Sequence, residues 1–220
     1  MLDSAFRPEI SPAVWERFPD YRALSVLVLD FEPTRKLVAP PIQLASWAEA
    51  HIDAWREAYK KFGAVPKKTP SSLESLFKRY AKDGGLPDIN DLVNSYNALS
   101  LCWGAPFGGE DISKYVGLPK LAIADGAETF DTVKEGAPVL ETVEVGEVVW
   151  RDEVGVTCRR WNWRQCKRTA ITSETKNLWF VIDRLNPMPI DSLKQAGEAL
   201  AALLQNASPN SIVKVDLLAP

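Results

Sequence analysis

The order of the local patterns constrains this chain more than any single motif. After one early apolar run, segments with helical spacing fill the sequence to about residue 103. From Leu121 onward the runs are short and strand-like, until a last helical segment and a closing strand. Strands and helices do not alternate as βαβ units, which favours an α+β fold over a parallel, doubly wound sheet.

The individual segments carry recognisable boundaries. SPAVWERF pairs Ser11 with Pro12, as a helix start does. RALSVLVLDF is short and rich in Val and Leu, and reads as a buried strand. A helix is expected from about Gln43 to Phe62, closed by Gly63. Ser71 and Glu74 have capping-box spacing and open a helix to about Lys82. Another runs from about Ile89 to Trp103. LAIAD, GEVVWRD, VGVTCRRWNW and NLWFVIDRL read as strands of an antiparallel or mixed sheet. Asp191 is the expected cap of the last helix, and SIVKVDLL closes the chain as a strand. No repeat or low-complexity linker divides residues 1–220, so one compact unit is expected.

Composition removes several functional classes. With 46% hydrophobic residues and eight Trp in 220, the chain can bury a sizeable core and is not a disordered segment. The first residues, MLDSAFRPEISP, lack a basic patch and apolar run, and Ala23–Leu29 is too short to span a bilayer; a cytoplasmic protein without membrane contact is expected. Cys102, Cys158 and Cys166 have no CxxC spacing and suit reduced thiols. His51 is the one histidine and is expected to be solvated or capping. No phosphate-binding glycine motif occurs, and no cofactor or metal is expected. A net charge of -3 argues against a general nucleic-acid binder and gives no reason to expect DNA.

Against that acidic background, GVTCRRWNWRQCKRTAITSET crowds Arg159, Arg160, Arg164, Lys167 and Arg168 around Trp161 and Trp163. As one strand, it would turn Arg159, Trp161 and Trp163 to one face and Cys158, Arg160, Asn162 and Arg164 to the other. Both faces mix charge with aromatic surface. Arginines suit phosphates and indoles suit unpaired bases, so the stretch can be read as a ligand wall. It can equally be read as core tryptophans with arginines paired to Asp152, Glu153 and Glu174.

The middle of the chain resembles the B3/B4 module of the bacterial phenylalanyl-tRNA synthetase beta subunit. The resemblance is carried by Leu86-Pro87, Ile89-Asn90-x-Leu92-Val93-x-x-x-Asn97, Gly104-x-Pro106 and Glu110-Asp111. Ala124-Asp125-Gly126-x-Glu128-x-Phe130, Gly146-Glu147-Val148 and Glu174-Thr175-x-Asn177 extend it. It covers about residues 21–185 and lacks the other modules of a synthetase subunit. It implies a free-standing module, an aminoacyl-tRNA 3′ end as partner, and hydrolysis of a mischarged ester. Two departures stand out. Gly108 occupies the place of the family's histidine, and WRQCKR (Trp163–Arg168) replaces a glycine-rich turn bearing a Glu.

For that chemistry a positioned water and oxyanion donors suffice. Backbone N–H groups of a Gly108-Gly109 loop are candidate donors, and Glu110 and Asp111 are candidate bases. Alternatively, Asp111 caps the turn ISKY and Glu110 is solvated. Asn90, Asn97, Pro106, Arg160, Trp161, Trp163, Arg164 and Glu174 are the candidate substrate contacts. Asn90 also fits an N-cap, and Asn97 also fits a structural role. Lys60-Lys61 and Lys67-Lys68 read as solvated surface or RNA-backbone contacts. A catalyst, a non-catalytic tRNA-binding module and a sensor of an amino-acid-like ligand are the three functional classes left.

Overall fold

The computed structural model describes residues 6–220. Residues 1–5, part of the segment read above as carrying no leader, lie outside the described residues. In chain order the elements are β1 (Glu9–Ile10), α1 (Pro12–Arg17), β2 (Arg22–Leu29), α2 (Ala48–Lys61), α3 (Ser72–Asp83), α4 (Asp91–Trp103) and β3 (Phe107–Asp111). Then follow β4 (Lys120–Ile123), β5 (Thr129–Lys134), β6 (Ala137–Thr142), β7 (Val148–Arg151), β8 (Val156–Arg159), β9 (Arg164–Gln165), β10 (Leu178–Arg184), α5 (Ile190–Ala207) and β11 (Ile212–Leu218).

The strands form a four-stranded antiparallel sheet ordered β11-β2-β10-β3 and a five-stranded mixed sheet ordered β1-β4-β7-β8-β9. The hairpin β5-β6 stands apart. This is the expected α+β architecture. The period-two alternation of β2 and β10 explains the layering. Leu24, Val26 and Val28 with Leu178, Phe180 and Ile182 face the helices α4 and α5. Ala23, Leu27 and Leu29 with Trp179 and Val181 face the second sheet and α2. A strand buried on both faces reads as an unbroken apolar run, as RALSVLVLDF does. Helix α5 lies close on the sheet: at Gly197 an added Cβ would fall 1.7 Å from Leu24 Cδ2.

Several local expectations change. Helix α2 begins at Ala48, not Gln43. Pro189 holds the N-cap of α5, and Asp191 sits in its first turn against Lys194. Ser71 caps α3 as expected, accepting from Glu74 N at 3.2 Å, but the Glu74 carboxylate turns to Arg56 and Lys78. His51 is buried rather than solvated. Its Nδ1 bonds Gly104 O at 2.7 Å, while Nε2 accepts from Trp55 Nε1 and Leu185 N. Burial holds its pKa down, at about 4. The Gly108-Gly109 pair is not a loop: it lies inside β3, opposite Val181 and Phe180.

The stretch 155–164 is not one strand either. Strand β8 ends at Arg159 and the chain turns, with positive φ at Arg160 (47°) and Trp161 (68°). Non-glycine residues adopt that region only when their surroundings hold them there. Here the buried Glu147 carboxylate does so. It accepts Arg159 Nε at 3.0 Å, Arg159 Nη2 at 2.8 Å and Arg160 N at 2.9 Å.

Candidate functional site

Where β3 and β10 of one sheet face β8 and β9 of the other, the two layers leave a cavity of about 140 Å³. That is room for several waters or an amino-acid side chain. Its existence follows from β3. Side chains alternate along a strand, so Gly108 and Glu110 point between the sheets while Gly109 and Asp111 point away. An added Cβ at Gly109 would press on the Phe180 ring at 2.6 Å, on the helix side. An added Cβ at Gly108 would meet only Val181 Cγ1 at 3.4 Å and Gln165 Nε2 at 3.5 Å. Gly108 is thus an absent side chain in the cavity wall.

The sheets are tied together at its edge. Gln165 Nε2 donates to Gly109 O at 3.0 Å, and Asp111 N donates to Thr169 O at 2.8 Å. The indoles of Trp150, Trp161 and Trp179 wall the interior, and Trp163, Arg164 and Asn97 stand at the more exposed side.

Two buried carboxyls line this space. Glu110 lies opposite Trp179 and Asp183 opposite Pro106. Four residues of β10 separate them, about 13 Å. Asp183 accepts Tyr21 Oη at 2.7 Å and Asn162 Nδ2 at 3.0 Å, and Asn162 in turn accepts Tyr59 Oη at 2.8 Å. Burial raises the Asp183 pKa to about 6, and those two donors restrain the rise. Glu110 is 3% exposed, and neither carboxyl oxygen has a hydrogen-bond partner. Thr157 and Thr169 face it without reaching hydrogen-bond geometry. Thr157 Oγ1 accepts from Tyr115 Oη and Thr169 Oγ1 contacts Cys166 Sγ, and both threonines lie close enough to restrain the Glu110 pKa. Burial pushes the Glu110 pKa up to about 8. The indole N–H of Trp150 is also unpartnered, and that of Trp161 faces the Tyr21 hydroxyl without reaching good hydrogen-bond geometry. A buried polar group without a partner is costly, which is why such groups mark ligand sites or ordered water. The Cys158 thiol is held far above its ordinary pKa by burial and is unsuited to act as a nucleophile.

The residues expected from sequence divide cleanly. Asn97, Gly108, Glu110, Trp161, Trp163 and Arg164 line the cavity. The others do not. Asp111 is structural: Oδ1 accepts Ser113 N at 3.0 Å and Oδ2 accepts Thr175 Oγ1 at 2.9 Å. Asn90 caps α4, accepting Val93 N at 2.8 Å. Asn90 and Glu174 line a separate open groove near Phe31. Pro106 contributes its carbonyl to Asp183 N. Trp161 cannot stack on a base from outside; it is fully buried, with ring centroids 4.7 Å from Tyr21 and 4.8 Å from Phe18. Asp183, Gln165, Trp150 and Trp179 were not anticipated. Of these, Asp183 left a signal, as the one acid inside the apolar run LWFVI-D.

The cationic cluster resolves into framework and remainder. Arg159 is bound by Glu147 and Glu141, Arg160 faces Glu144 and Glu147, and Arg168 pairs with Asp152 at 2.8 Å. These partners are mostly not the Glu153 and Glu174 expected. Arg164 is exposed and has no acidic partner among the described residues; its guanidinium lies 4.7 Å from the Trp163 ring centre. Of the lysines, Lys60 pairs with Glu57, while Lys67 and Lys68 are exposed. No group of three or more His, Cys, Asp or Glu among the described residues is placed to hold a metal. No helix there is long and apolar enough to cross a membrane.

A family model described as the B3/4 domain matches residues 54–206. Among solved structures, an N-terminal fragment of the phenylalanyl-tRNA synthetase beta-subunit from Pyrococcus horikoshii aligns with a TM-score of 0.51 at 10% identity. The alignment covers 96% of this chain and 50% of that one, so the chain spans half the length of that fragment. At such identity the likeness concerns the fold. A search of curated protein sequences finds no match.

Proposed function

Because the chain belongs to the B3/4 domain family, whose model covers residues 54–206, we propose that it is a free-standing editing protein for aminoacyl-tRNA. It removes a wrongly attached amino acid from tRNA in trans, in the cytoplasm, and residues 1–220 act as one domain. The observation that carries this reading is the Glu110 carboxyl, unpartnered among the described residues and buried in an aromatic cavity, with Arg164 exposed beside it and without an acidic partner among those residues.

In this reading the aminoacyl side enters between the sheets and the ribose stays outside. Gly108 leaves the space the ligand needs. Arg164 meets phosphate of the single-stranded 3′ end, and Trp163 offers the part of its indole that the arginines leave open to a base. The ester is already activated, so a water held near the carbonyl and polar groups at the entrance are enough. Gln165 and Asn97 are the side chains placed for that. The neighbouring ribose hydroxyl is a further donor.

A non-catalytic tRNA-binding role is the second reading. It is favoured by Gly108 in place of the family histidine, and by His51 being buried and fully bonded. Deacylation of a panel of mischarged tRNAs, including tRNA-Phe carrying tyrosine, separates the two. Faster ester loss for one pairing than in a protein-free control supports editing. Salt-sensitive tRNA binding without acceleration supports the second reading.

A further inference from the structure

We propose that Glu110 receives an ammonium group of the ligand at the closed end of the cavity, so that the ligand binds as a cation. This rests on the aminoacyl reading above and adds what that reading leaves open, the charge of the group taken.

The cavity holds the surroundings an ammonium needs and no protein group that supplies one. Both Glu110 oxygens are unpartnered and buried. Indoles line the same space, and a cation placed over an indole ring is attracted by its negative π-surface. The nearby arginines are committed elsewhere: Arg159 and Arg160 to Glu147, Arg168 to Asp152. Arg164 lines the cavity as an exposed residue stacked on Trp163, not at its closed end. Asp183 differs, because Tyr21 and Asn162 already satisfy it. A neutral hydroxyl can pair with the protonated Glu110 carboxyl but brings no charge to hold the carboxylate form. An ammonium has three donors and a charge. An aminoacyl ester also brings a carbonyl acceptor, and the Trp150 N–H is an unpartnered donor on the same cavity.

Binding of a cation there has a protonic signature. The titratable groups facing Glu110 are Tyr96 from α4, Cys158 from β8, Cys166 and Arg168 beyond β9, and Asp152 after β7. Tyr96, Cys158 and Cys166 are pushed up and stay neutral at pH 7, and Arg168 and Asp152 cancel each other. Empty, Glu110 is mostly protonated at that pH. An arriving ammonium favours the carboxylate, so binding of a permanently charged ammonium at pH 7 releases a proton.

The test uses the full chain and two probes of one shape, n-butylammonium and n-butanol, in calorimetry at pH 7 in buffers of different ionisation enthalpy. The amine is expected to bind at least about tenfold tighter and to release a proton. Glu110→Gln, checked for folding by circular dichroism, is expected to abolish the preference; Glu110→Asp keeps the charge and retains part of it. Equal affinity for the two probes, or a preference unchanged in Glu110→Gln, overturns the proposal. Two further arms identify the source of the ammonium. Loss of binding on N-acetylation of leucine methyl ester points to the α-ammonium. Retained binding of α-N-acetyl-lysine methyl ester, with none of its norleucine counterpart, points to a side-chain ammonium. Failure here is distinct from failure of the editing reading. Deacylation indifferent to N-acetylation and to Glu110→Gln removes the ammonium site alone. Amine binding without any deacylation upholds the site and removes the hydrolase.

Discussion

Asp183 and Glu110 lie on the same face of the same sheet, line the same cavity, and are equally buried, yet only one is satisfied. Asp183 anchors a chain of bonds through Tyr21, Asn162 and Tyr59 that joins β10 to the residue before β2, the turn after β8 and α2. Glu110 anchors nothing. Burial alone therefore does not distinguish framework from site; the partner inventory does. A carboxyl that the fold supplies with donors is holding the fold. A carboxyl left bare weakens the fold and leaves its hydrogen-bonding capacity open to a group from outside it.

Removing each carboxyl in turn should change stability with opposite sign. Asp183→Ala leaves the Tyr21 hydroxyl and an Asn162 N–H buried without acceptors. The expected loss is about 3–5 kcal/mol, read as a lower denaturation midpoint at unchanged m-value. A loss under about 1 kcal/mol would place Asp183 with Glu110 rather than opposite it.

Glu110→Gln is expected to stabilise, and only above acid pH. The wild-type carboxyl has a folded pKa of about 8 against an ordinary carboxylate value unfolded. Between those values the unfolded chain ionises while the folded one stays protonated. Wild-type stability from this group therefore falls as pH rises, from near pH 4.5 until about pH 8. The neutral Gln lacks that slope. Melting curves of the two proteins should nearly coincide at pH 4.5 and separate by about 2–4 kcal/mol at pH 8.5. Parallel curves at all pH values would mean that Glu110 finds a partner in solution.

Gly108→Val tests the space between the carboxyls. Its Cβ has ordinary contact distances, so stability should stay within about 1 kcal/mol, while the branched methyls fill the cavity. Deacylation, or binding of the amine probe, should fall at least about tenfold. A folded Gly108→Val protein with undiminished binding would move the ligand out of this cavity.

How much of this could be read from residues depends on how far apart the partners are. The Ser71 and Asn90 caps were legible because each closes a bond three residues away. The membership of Gly108 and Glu110 in one site was legible in part, but two adjacent glycines suggest a loop. Only pairing with β10, some seventy positions later, makes them a strand and sorts them to alternate faces. The turn at Arg160–Trp161 is hidden for the same reason, since Glu147, just before β7, holds it from twelve or more positions away. The β5-β6 hairpin was missed although its signal is local. Glu135 and Gly136 both take positive φ (52° and 81°), which is the two-residue primed turn. Asp183 stands out as an acid inside an apolar strand, but its role follows only once Tyr21 and Asn162 are brought to it from distant positions.

The smallest expected effect divides the arginines in the way the first comparison divides the carboxyls. Arg160 faces Glu144 at 3.6 Å and Glu147 at 3.9 Å, and is largely buried. Arg164 is exposed, stacked on Trp163, and unpaired among the described residues. A cation neutralised by the protein releases no counterion from RNA; an unpaired one does. Arg164→Ala should leave stability within about 0.5 kcal/mol and flatten the plot of log affinity for tRNA against log salt by about 0.7. Arg160→Ala should lower stability slightly and leave that slope alone. The opposite result, with Arg160 setting the slope and Arg164 inert, would mean that RNA breaks the Glu147 clamp on binding and approaches over the turn after β8 rather than past Arg164.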